Sequence, residues 1–423
     1  MKIRLIVMNF LQFAVWGAYL TCMGTYLANH GLASNIGIFY SIQGIVSIFM
    51  PALLGIVADR WIEAQKLLGI SHAISALAMI AAGVYGVSAG NAVEFAPLFS
   101  LYTIGVAFYM PTLALSNSVA YNALDSIGLD TVKTFPPIRV FGTVGFIFSM
   151  IMVDLMGYQP TSKQFIVSGI IGLILAIYAF TLPKCRISKS SDKKSMVEAF
   201  GLKAFSLFKQ KKMAIFFIFS MLLGVSLQIT NGFANPFISS FGSLEEYIDT
   251  FGVQHANILI SISQISETLC ILLIPFCLRR FGIKKVMLMA MFAWVLRFGF
   301  FGLGNPGSGV WLFILSCIVY GVAFDFFNIS GSLFVDKETD TSIRSSAQGL
   351  FMLMTNGIGA TIGTLGAQAV VNHFVYSKTS VAEQIAGWAT SWYAFAIYAL
   401  VVTIVFAIVF KYKHNPKDLE VRH

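Results

Sequence analysis

The segment 309–333 reads GVWLFILSCIVYGVAFDFFNISGSL and is long and apolar enough to cross a lipid bilayer as one helix. A crossing needs about 20 predominantly apolar residues, because a helix rises about 1.5 Å per residue. The same segment contains Tyr320, Asp325 and Asn328. An aspartate at the centre of a membrane helix costs about 2.5–3.5 kcal/mol on insertion scales, and such residues usually face a protein interior or a water-filled path. The segment therefore predicts a membrane protein with a functional site inside the membrane.

The composition of the whole chain supports this interpretation. Of its 423 residues, 57% are hydrophobic and 11% are charged, and the mean hydropathy is +0.78. Soluble proteins carry about 25% charged residues, so this composition suits a lipid bilayer. The net charge of +9 could indicate nucleic-acid binding. We expect no nucleic-acid partner, because the basic residues follow the pattern of membrane loops rather than form a patch.

Twelve segments of the chain are predicted to be membrane helices. The first resembles a signal peptide, because Lys2 and Arg4 precede an apolar run. That run is too long for a signal peptide and no A-x-A cleavage site follows it, so we expect the segment to be retained as a membrane helix. The predicted segments are 4–28, 35–57, 66–88, 95–121, 135–156, 164–182, 213–239, 256–278, 285–303, 309–333, 345–372 and 385–410.

A basic polar stretch divides these segments into two groups of six. We expect a first six-helix bundle over 1–183, a cytoplasmic linker over 184–212, a second bundle over 213–411 and a cytoplasmic tail over 412–423. Part of the linker, around 197–208, could form an amphipathic helix at the membrane surface.

The distribution of basic residues predicts the orientation in the membrane. Lys163 and Lys378 lie in predicted outer loops, and Arg139 and Arg297 lie within membrane segments. The other 24 of the 28 Lys and Arg residues fall on one side. Because cytoplasmic loops are enriched in Lys and Arg, both termini are expected in the cytoplasm.

Two six-helix bundles joined by a linker are typical of transporters that bind their substrate near the membrane centre, between the two halves. The sequence from Gly55 through Asp59 to Arg60, GIVADR, resembles the front half of the loop signature of the major facilitator superfamily. The usual continuation is replaced by Ile62 and Glu63. A related basic sequence, RRFGIKK, stands at 279–285 in the second half. The resemblance implies an all-α membrane protein with twelve helices in two pseudo-symmetric bundles, and a gating role for Gly55, Asp59 and Arg60.

The fifth predicted helix carries Arg139, Thr143 and Phe146 at spacings that place them on one helix face. They could line a ligand site. Alternatively, Arg139 could extend its charged end toward the cytoplasm along apolar neighbours, and Thr143 could bond only to its own helix.

The seventh predicted helix carries Gln228 and Asn231, and the eighth carries Gln264 and Glu267 one turn apart. Carboxamides both donate and accept hydrogen bonds, so they could recognise a heterocyclic base or a sugar. Alternatively, they could join neighbouring helices. We also expect Asn235 and the proline after it to break the seventh helix toward its outer end.

The tenth predicted helix adds Tyr320, Phe324 and Asp325. Burial disfavours the charged form of a carboxyl group, so Asp325 and Glu267 are candidates to load and release a proton. Alternatively, these carboxylates could form buried ion pairs with Arg139 or Arg297, holding helices together. Arg297 has no evident functional partner in the sequence and is interpreted as structural.

The cysteines and histidines indicate no metal site and no cofactor. The five cysteines form no CxxC pair and the six histidines have no ligand spacing. No nucleophile and base stand at usable spacing, so an enzyme is not expected.

The residue types in the candidate site suit a polar, largely uncharged ligand with a flat ring, and on their own leave a nucleoside and a glycoside equally open. Longer strings, FPPIR-x-x-GT-x-GF, LQITN, SISQISETL and AFDFFNISGS, resemble the bacterial nucleoside:proton symporters, and the resemblance runs nearly end to end. That family implies proton-driven uptake of nucleosides such as uridine, adenosine and cytidine across the bacterial inner membrane. A monomer is expected. The substrate residues implied by matching positions are Arg139, Thr143, Phe146, Gln228, Asn231, Gln264, Glu267, Tyr320, Phe324 and Asp325.

Two other functions remain open from the sequence. A proton-coupled sugar or glycoside importer would use the same residue types. A membrane sensor that binds nucleoside without transporting it would need a cytoplasmic signalling domain, for which the linker and the tail are short.

Overall fold

The computed structural model describes residues 1–185, 202–340 and 343–413, and within these ranges every regular element is a helix. Ten helices of the described ranges are long and apolar enough to cross a membrane. They span Ala33–Ala58, Ala64–Ala89, Phe95–Asp125, Lys133–Leu155, Lys211–Ser243, Ala256–Phe281, Ile283–Leu303, Val310–Glu338, Ser346–Tyr376 and Val381–Val409.

Two of the twelve predicted membrane segments are not among these ten. The first, 4–28, is interrupted between Gly17 and Met23. The sixth is a shorter apolar helix, Lys163–Ala179. Ten spans are therefore found, and the count of twelve stays a prediction.

The chain forms two compact units, Met1–Ser195 and Met196–His423. The helices of the first unit are α1 Lys2–Gly17, α2 Met23–Asn29, α3 Ile36–Arg60, α4 Ala64–Ala89, α5 Phe95–Tyr109, α6 Thr112–Asp125, α7 Thr131–Leu155 and α8 Lys163–Ala179, with a short 3-10 turn at Ala33–Asn35.

The second unit contains α9 Lys211–Leu227, α10 Ile229–Ser240, α11 Phe251–Gln254, α12 Ala256–Cys270, α13 Ile274–Phe281, α14 Ile283–Leu303, α15 Val310–Glu338, α16 Arg344–Met352, α17 Ala360–Val371 and α18 Val381–Val409. Two π-helical segments, Leu353–Gly359 and Asn372–Tyr376, flank α17. Short 3-10 helices lie at Leu202–Lys209, Phe241–Ser243 and Ile271–Leu273.

The order of packing partners is the same in the two units. In the first, α1 packs against α7 and α4 packs against α8. In the second, α9 packs against the π-helical segment Leu353–Gly359, and α14 packs against α18. In both units the first predicted segment thus contacts the fifth and the third contacts the sixth, which is the pattern an internal repeat produces.

Glycines permit the closest of these contacts. Gly145 of α7 lies against the backbone carbonyl of Phe10 in α1, and Gly224 of α9 lies against the carbonyl of Thr355. Lipid tails are as apolar as leucine, so membrane helices associate through close packing of small residues rather than through the hydrophobic effect. A side chain at either position would push the two helices apart.

One glycine pair on α17 allows this packing to be tested. Gly363 lies against the backbone carbonyl of Val225, whereas Gly366, three residues later, faces open space. We expect Gly363→Ala to lower the free energy of unfolding by about 1–3 kcal/mol, because the added methyl group meets backbone that cannot move aside. Gly366→Ala should be neutral or slightly stabilising, by up to about 1 kcal/mol. Thermal unfolding in detergent checks this, and equal melting temperatures for the two variants would contradict it.

One predicted helix break is wrong. Asn235 and Pro236 were predicted to break the seventh helix, but α10 continues through Pro236, and the break falls at Gln228 between α9 and α10. Prolines are tolerated in such helices where neighbouring groups supply hydrogen bonds. Beside the proline, the Asn235 side chain joins α10 to α12 by donating to Asn257 Oδ1 at 3.1 Å, and it accepts from Ser239 at 3.1 Å.

The sequence with the predicted gating role lies at the end of α3 and before α4, as expected. Gly55 lies within α3, which continues to Arg60, so that the connection to α4 comprises only 61–63. The residues between Gly55 and Arg60 include no helix breaker, and the helix therefore runs one turn further than predicted. The predicted roles of the Asp59 and Arg60 side chains lie outside what the structure describes.

The amphipathic helix predicted at 197–208 is described only in its second part, where Leu202–Lys209 forms a 3-10 helix. The remainder of the predicted linker at 186–201, and the tail from 414 onward, lie outside the described residues.

Candidate functional site

In the first unit, α7 presents the three residues predicted on one face. Arg139 is half-buried, and its guanidinium carbon lies 3.8 Å from the centre of the Phe13 ring of α1. Phe13 stands eleven residues after Lys2, about 16 Å along the helix axis. The Arg139 guanidinium is thus packed on the ring of Phe13, which is itself half-buried.

Gly142 makes this contact possible, because a side chain there would collide with both Phe13 and the Arg139 guanidinium. One turn further along, Phe146 is buried and meets the edge of Trp16, with ring centres 6.2 Å apart. Thr143 lies between them and is half-buried. The α7 face therefore offers a cation, a hydroxyl group and an aromatic ring in order along the helix.

Behind this face lies a buried polar network that the sequence analysis did not identify. Trp16 Nε1 donates to Gln43 Oε1 at 3.2 Å, and Gln43 Nε2 donates to the Tyr102 hydroxyl at 2.8 Å. These bonds fix the indole that supports Phe146. The signal in the sequence was present, since Gln43 stands alone in an apolar segment.

A second part of the network centres on Gln12. Gln12 Nε2 donates to Thr112 Oγ1 at 2.7 Å, so its Oε1 accepts from His72 Nε2, also at 2.7 Å. The Tyr109 hydroxyl donates to the Gln12 backbone carbonyl at 2.7 Å. Gln12, Thr112 and His72 are fully buried, and their bonds join α1, α4 and α6. The arrangement assigns the Nε2–H tautomer to His72.

In the second unit, the predicted carboxamides of the seventh helix stand at a break. Gln228 lies between α9 and α10, and Asn231 Nδ2 donates to Gln228 Oε1 at 2.8 Å. Both side chains are half-buried. The bond leaves the Gln228 amide nitrogen and the Asn231 carbonyl oxygen oriented for other partners, so the pair can present one donor and one acceptor.

The predicted residues of α12 and α15 are brought together around Tyr320. The Tyr320 and Phe324 rings are stacked, with centres 5.6 Å apart and planes 18° apart. The side chains of Gln264, Glu267 and Asp325 are all near enough to the Tyr320 hydroxyl to act electrostatically on it. Two carboxyl groups, an amide and two aromatic rings are thus neighbours in this unit.

Ser332, near the C-terminal end of α15, has a packing role. Ser332 of α15 donates to Gln348 Oε1 of α16 at 3.1 Å, and Gln348 Nε2 donates to the Ser332 carbonyl at 2.8 Å.

Arg297, which the sequence analysis interpreted as structural, lies beside this cluster. Only 2% of it is exposed. Its guanidinium donates to the Ser316 carbonyl at 2.8 Å, to Thr230 Oγ1 at 3.2 Å and to Ser263 Oγ at 3.3 Å. The guanidinium carbon also lies 4.4 Å from the centre of the Tyr320 ring.

The α3–α4 connection contains Glu63 at a position where the superfamily signature has a basic residue. The Lys66 ammonium, 3.2 Å from the Glu63 carboxylate, and the Gln65 amide hold the pKa of this carboxyl below its usual range. Gln65 Oε1 accepts from the Cys185 backbone N–H at 2.9 Å. Glu63 thus belongs to a polar cluster that joins this connection to the chain beyond α8.

Comparison with known proteins places these features in a family. A sequence model of the nucleoside H+ symporter family matches residues 1–415. The chain belongs to the nucleoside H+ symporter family. This membership makes it a multi-pass membrane transporter and not an enzyme.

Individual members of the nucleoside H+ symporter family are similar over the full length. The chain is 46% identical to the xanthosine permease of Escherichia coli K12, over 99% of this chain and 98% of that protein. It is also 46% identical to the nucleoside permease NupG of the same strain, over 98% of this chain and 97% of that protein. A crystal structure of the nucleoside transporter NupG superposes with a TM-score of 0.88 at 45% identity, covering 97% of this chain and 99% of NupG.

Proposed function

We propose that this protein imports nucleosides such as uridine, adenosine and cytidine together with protons, by alternating access. One observation carries the proposal beyond family membership. In the second unit, the stacked rings of Tyr320 and Phe324 adjoin Gln264 and two carboxyl groups, which are the groups needed to hold a flat base and to take up a proton.

The proposed ligand contacts are Arg139, Thr143, Phe146, Gln228, Asn231, Gln264, Glu267, Tyr320, Phe324 and Asp325. The aromatic rings would stack on the base. The carboxamides of Gln228, Asn231 and Gln264 would bind its edge, since each can donate and accept. The carboxylates would accept hydrogen bonds from the ribose hydroxyl groups.

The proposed coupling uses Asp325 and Glu267. Protonation of one of them from the outer side favours nucleoside binding, the transporter then opens inward, and loss of the proton to the cytoplasm weakens binding. The coupling rests on the position of Asp325, only 7% of which is exposed, within a candidate membrane span, since burial disfavours the charged form of a carboxyl group.

The proposed topology is twelve membrane helices in two pseudo-symmetric bundles of the major facilitator type, over 1–183 and 213–411, with both termini in the cytoplasm. The protein is proposed to lie in the bacterial inner membrane and to function as a monomer. The shared packing order of the two units supports the repeat, and the distribution of basic residues supports the orientation. Gly55, Asp59 and Arg60 are proposed to act in gating.

A competition experiment separates nucleoside from sugar recognition. Binding of labelled uridine to the purified protein is measured against an excess of adenosine, cytidine, xanthosine, free ribose or glucose. We expect the nucleosides to compete and the free sugars to have little effect, because the stacked rings need a base as their partner. Competition by ribose but not by adenosine would favour the sugar importer instead.

The same binding assay tests the role of the ring stack. We expect Phe324→Leu to weaken uridine binding by about 5- to 100-fold, since stacking of a base on an aromatic ring is worth about 1–3 kcal/mol. Phe276→Leu, an exposed phenylalanine on α13, is the matched control and should bind uridine as the unaltered protein does. Unchanged affinity in Phe324→Leu would remove that ring from the proposed site.

A further inference from the structure

Burying the charged side chain of Arg297 costs free energy, which suggests that this residue has a function. It stands in the middle of α14, within a candidate membrane span, and 2% of it is exposed. Its Nε–H is buried without a hydrogen-bond partner in the described part of the chain. Burying a charged group is costly even when it is hydrogen-bonded, and stability alone is therefore a weak reason for an arginine here.

The contacts of Arg297 reach every element of the second unit that carries a proposed ligand residue. Thr230 is on α10 beside Gln228 and Asn231. Ser263 is on α12 next to Gln264. Ser316 is on α15 one turn before Tyr320, and it returns a hydrogen bond to the Arg297 carbonyl at 2.8 Å.

Arg297 also contacts one ligand residue directly. Its guanidinium carbon lies 4.4 Å from the centre of the Tyr320 ring, and the edge of Trp294, one turn earlier on α14, meets the same ring with centres 5.9 Å apart. The Tyr320 ring is in turn stacked on Phe324. A cation over the face of an aromatic ring attracts it more strongly when both groups are desolvated, and this attraction favours one orientation of the ring.

We propose that Arg297 is a positioning residue of the transport site, which fixes the Tyr320 ring and holds α10, α12 and α15 in the register that nucleoside binding requires. This inference rests on the proposed nucleoside site. Arg297 acts through Tyr320 and the helix contacts and does not itself touch the nucleoside. The guanidinium group is planar and holds several N–H groups in a fixed fork, so it can reach three acceptors and also cover a ring. Lysine has a single ammonium group and cannot replace Arg297 fully.

The test compares Arg297→Met, Arg297→Lys and the unaltered protein, with uridine as the probe. We expect Arg297→Met to keep its melting temperature within a few degrees and to raise the Kd for uridine about tenfold or more. Arg297→Lys should restore part of the affinity. Phe301→Leu is the control, because the centre of that ring also lies 5.4 Å from the Arg297 guanidinium, whereas the rings that pack on Tyr320 are those of Trp294 and Phe324. It should leave the Kd unchanged.

A double substitution tests whether Arg297 acts through Tyr320. If it does, Arg297→Met should add little to the loss already caused by Tyr320→Leu, because contacting residues that act together are non-additive. If the double variant instead raised the Kd for uridine by the product of the two single effects, Arg297 would not act through Tyr320.

Several results would overturn the inference. If Arg297→Met folds and binds uridine as tightly as the unaltered protein, Arg297 has no positioning role, while the proposed function stands. If Arg297→Met fails to fold, Arg297→Lys decides, and affinity equal to the unaltered protein overturns the inference. If the unaltered protein binds no nucleoside, the proposed function itself fails.

Discussion

Replacing Asp325 with asparagine is expected to abolish uphill nucleoside accumulation. Asparagine keeps the shape of the aspartate side chain and both kinds of hydrogen-bonding atom but cannot take up a proton. With one proton per nucleoside, one pH unit supports about tenfold accumulation, since it corresponds to about 1.4 kcal/mol. The variant should equilibrate labelled uridine across proteoliposome membranes without exceeding the external concentration.

Two further variants make this result specific. Glu267→Gln removes the other carboxyl group of the cluster and is also expected to impair accumulation. Asp336→Asn is the control, because Asp336 lies on the same helix but is half-exposed and paired with Arg344 at 3.0 Å. It should accumulate uridine normally. Full accumulation by both Asp325→Asn and Glu267→Gln would show that neither carboxyl group couples the proton.

Replacing Arg139 with alanine is expected to weaken uridine binding by about 10- to 100-fold. A hydrogen bond from a charged donor is worth about 1.5–3 kcal/mol, and the Phe13 ring holds this guanidinium in a fixed position. Arg139→Lys should recover only part of the affinity, because an ammonium group lacks the planar fork of donors. Isothermal titration in detergent measures both.

A second basic residue of α7 provides the comparison. Lys133 is exposed and pairs weakly with Asp130 at 4.0 Å. Lys133→Ala should bind uridine as the unaltered protein does. If Arg139→Ala also kept full affinity, Arg139 would be an arginine that merely packs along apolar neighbours, the alternative that its place near the start of a helix first suggested.

The sequence predicted the apolar spans well and their interruptions poorly. Hydropathy locates a helix from about 20 residues together, so single breaks are averaged out. Gln228 divides α9 from α10, although the obvious breaker, Pro236, lies inside α10. Membrane helices tolerate a proline where their surroundings satisfy the freed backbone groups, and a hydropathy profile contains no information on those surroundings.

The candidate residues of the site were recognisable because polar groups in apolar segments are rare. Glu267, Gln264 and Asp325 stood out for that reason, and the structure brings all three near Tyr320. The contacts of Arg297 were not predictable, because its guanidinium donates to two hydroxyl groups and a backbone carbonyl on three other elements that are distant in the sequence. The same holds for the network around Gln12 and His72.

The central claim is that the proton gradient drives nucleoside uptake, and labelled uridine uptake into proteoliposomes tests it most directly. Uptake is followed with an imposed gradient, acidic outside, without a gradient, and after a protonophore has collapsed it. The account predicts transient accumulation above the external concentration with the gradient only, and its loss on adding the protonophore. Uptake that only equilibrates, at the same rate and to the same level in all three conditions, would contradict proton coupling.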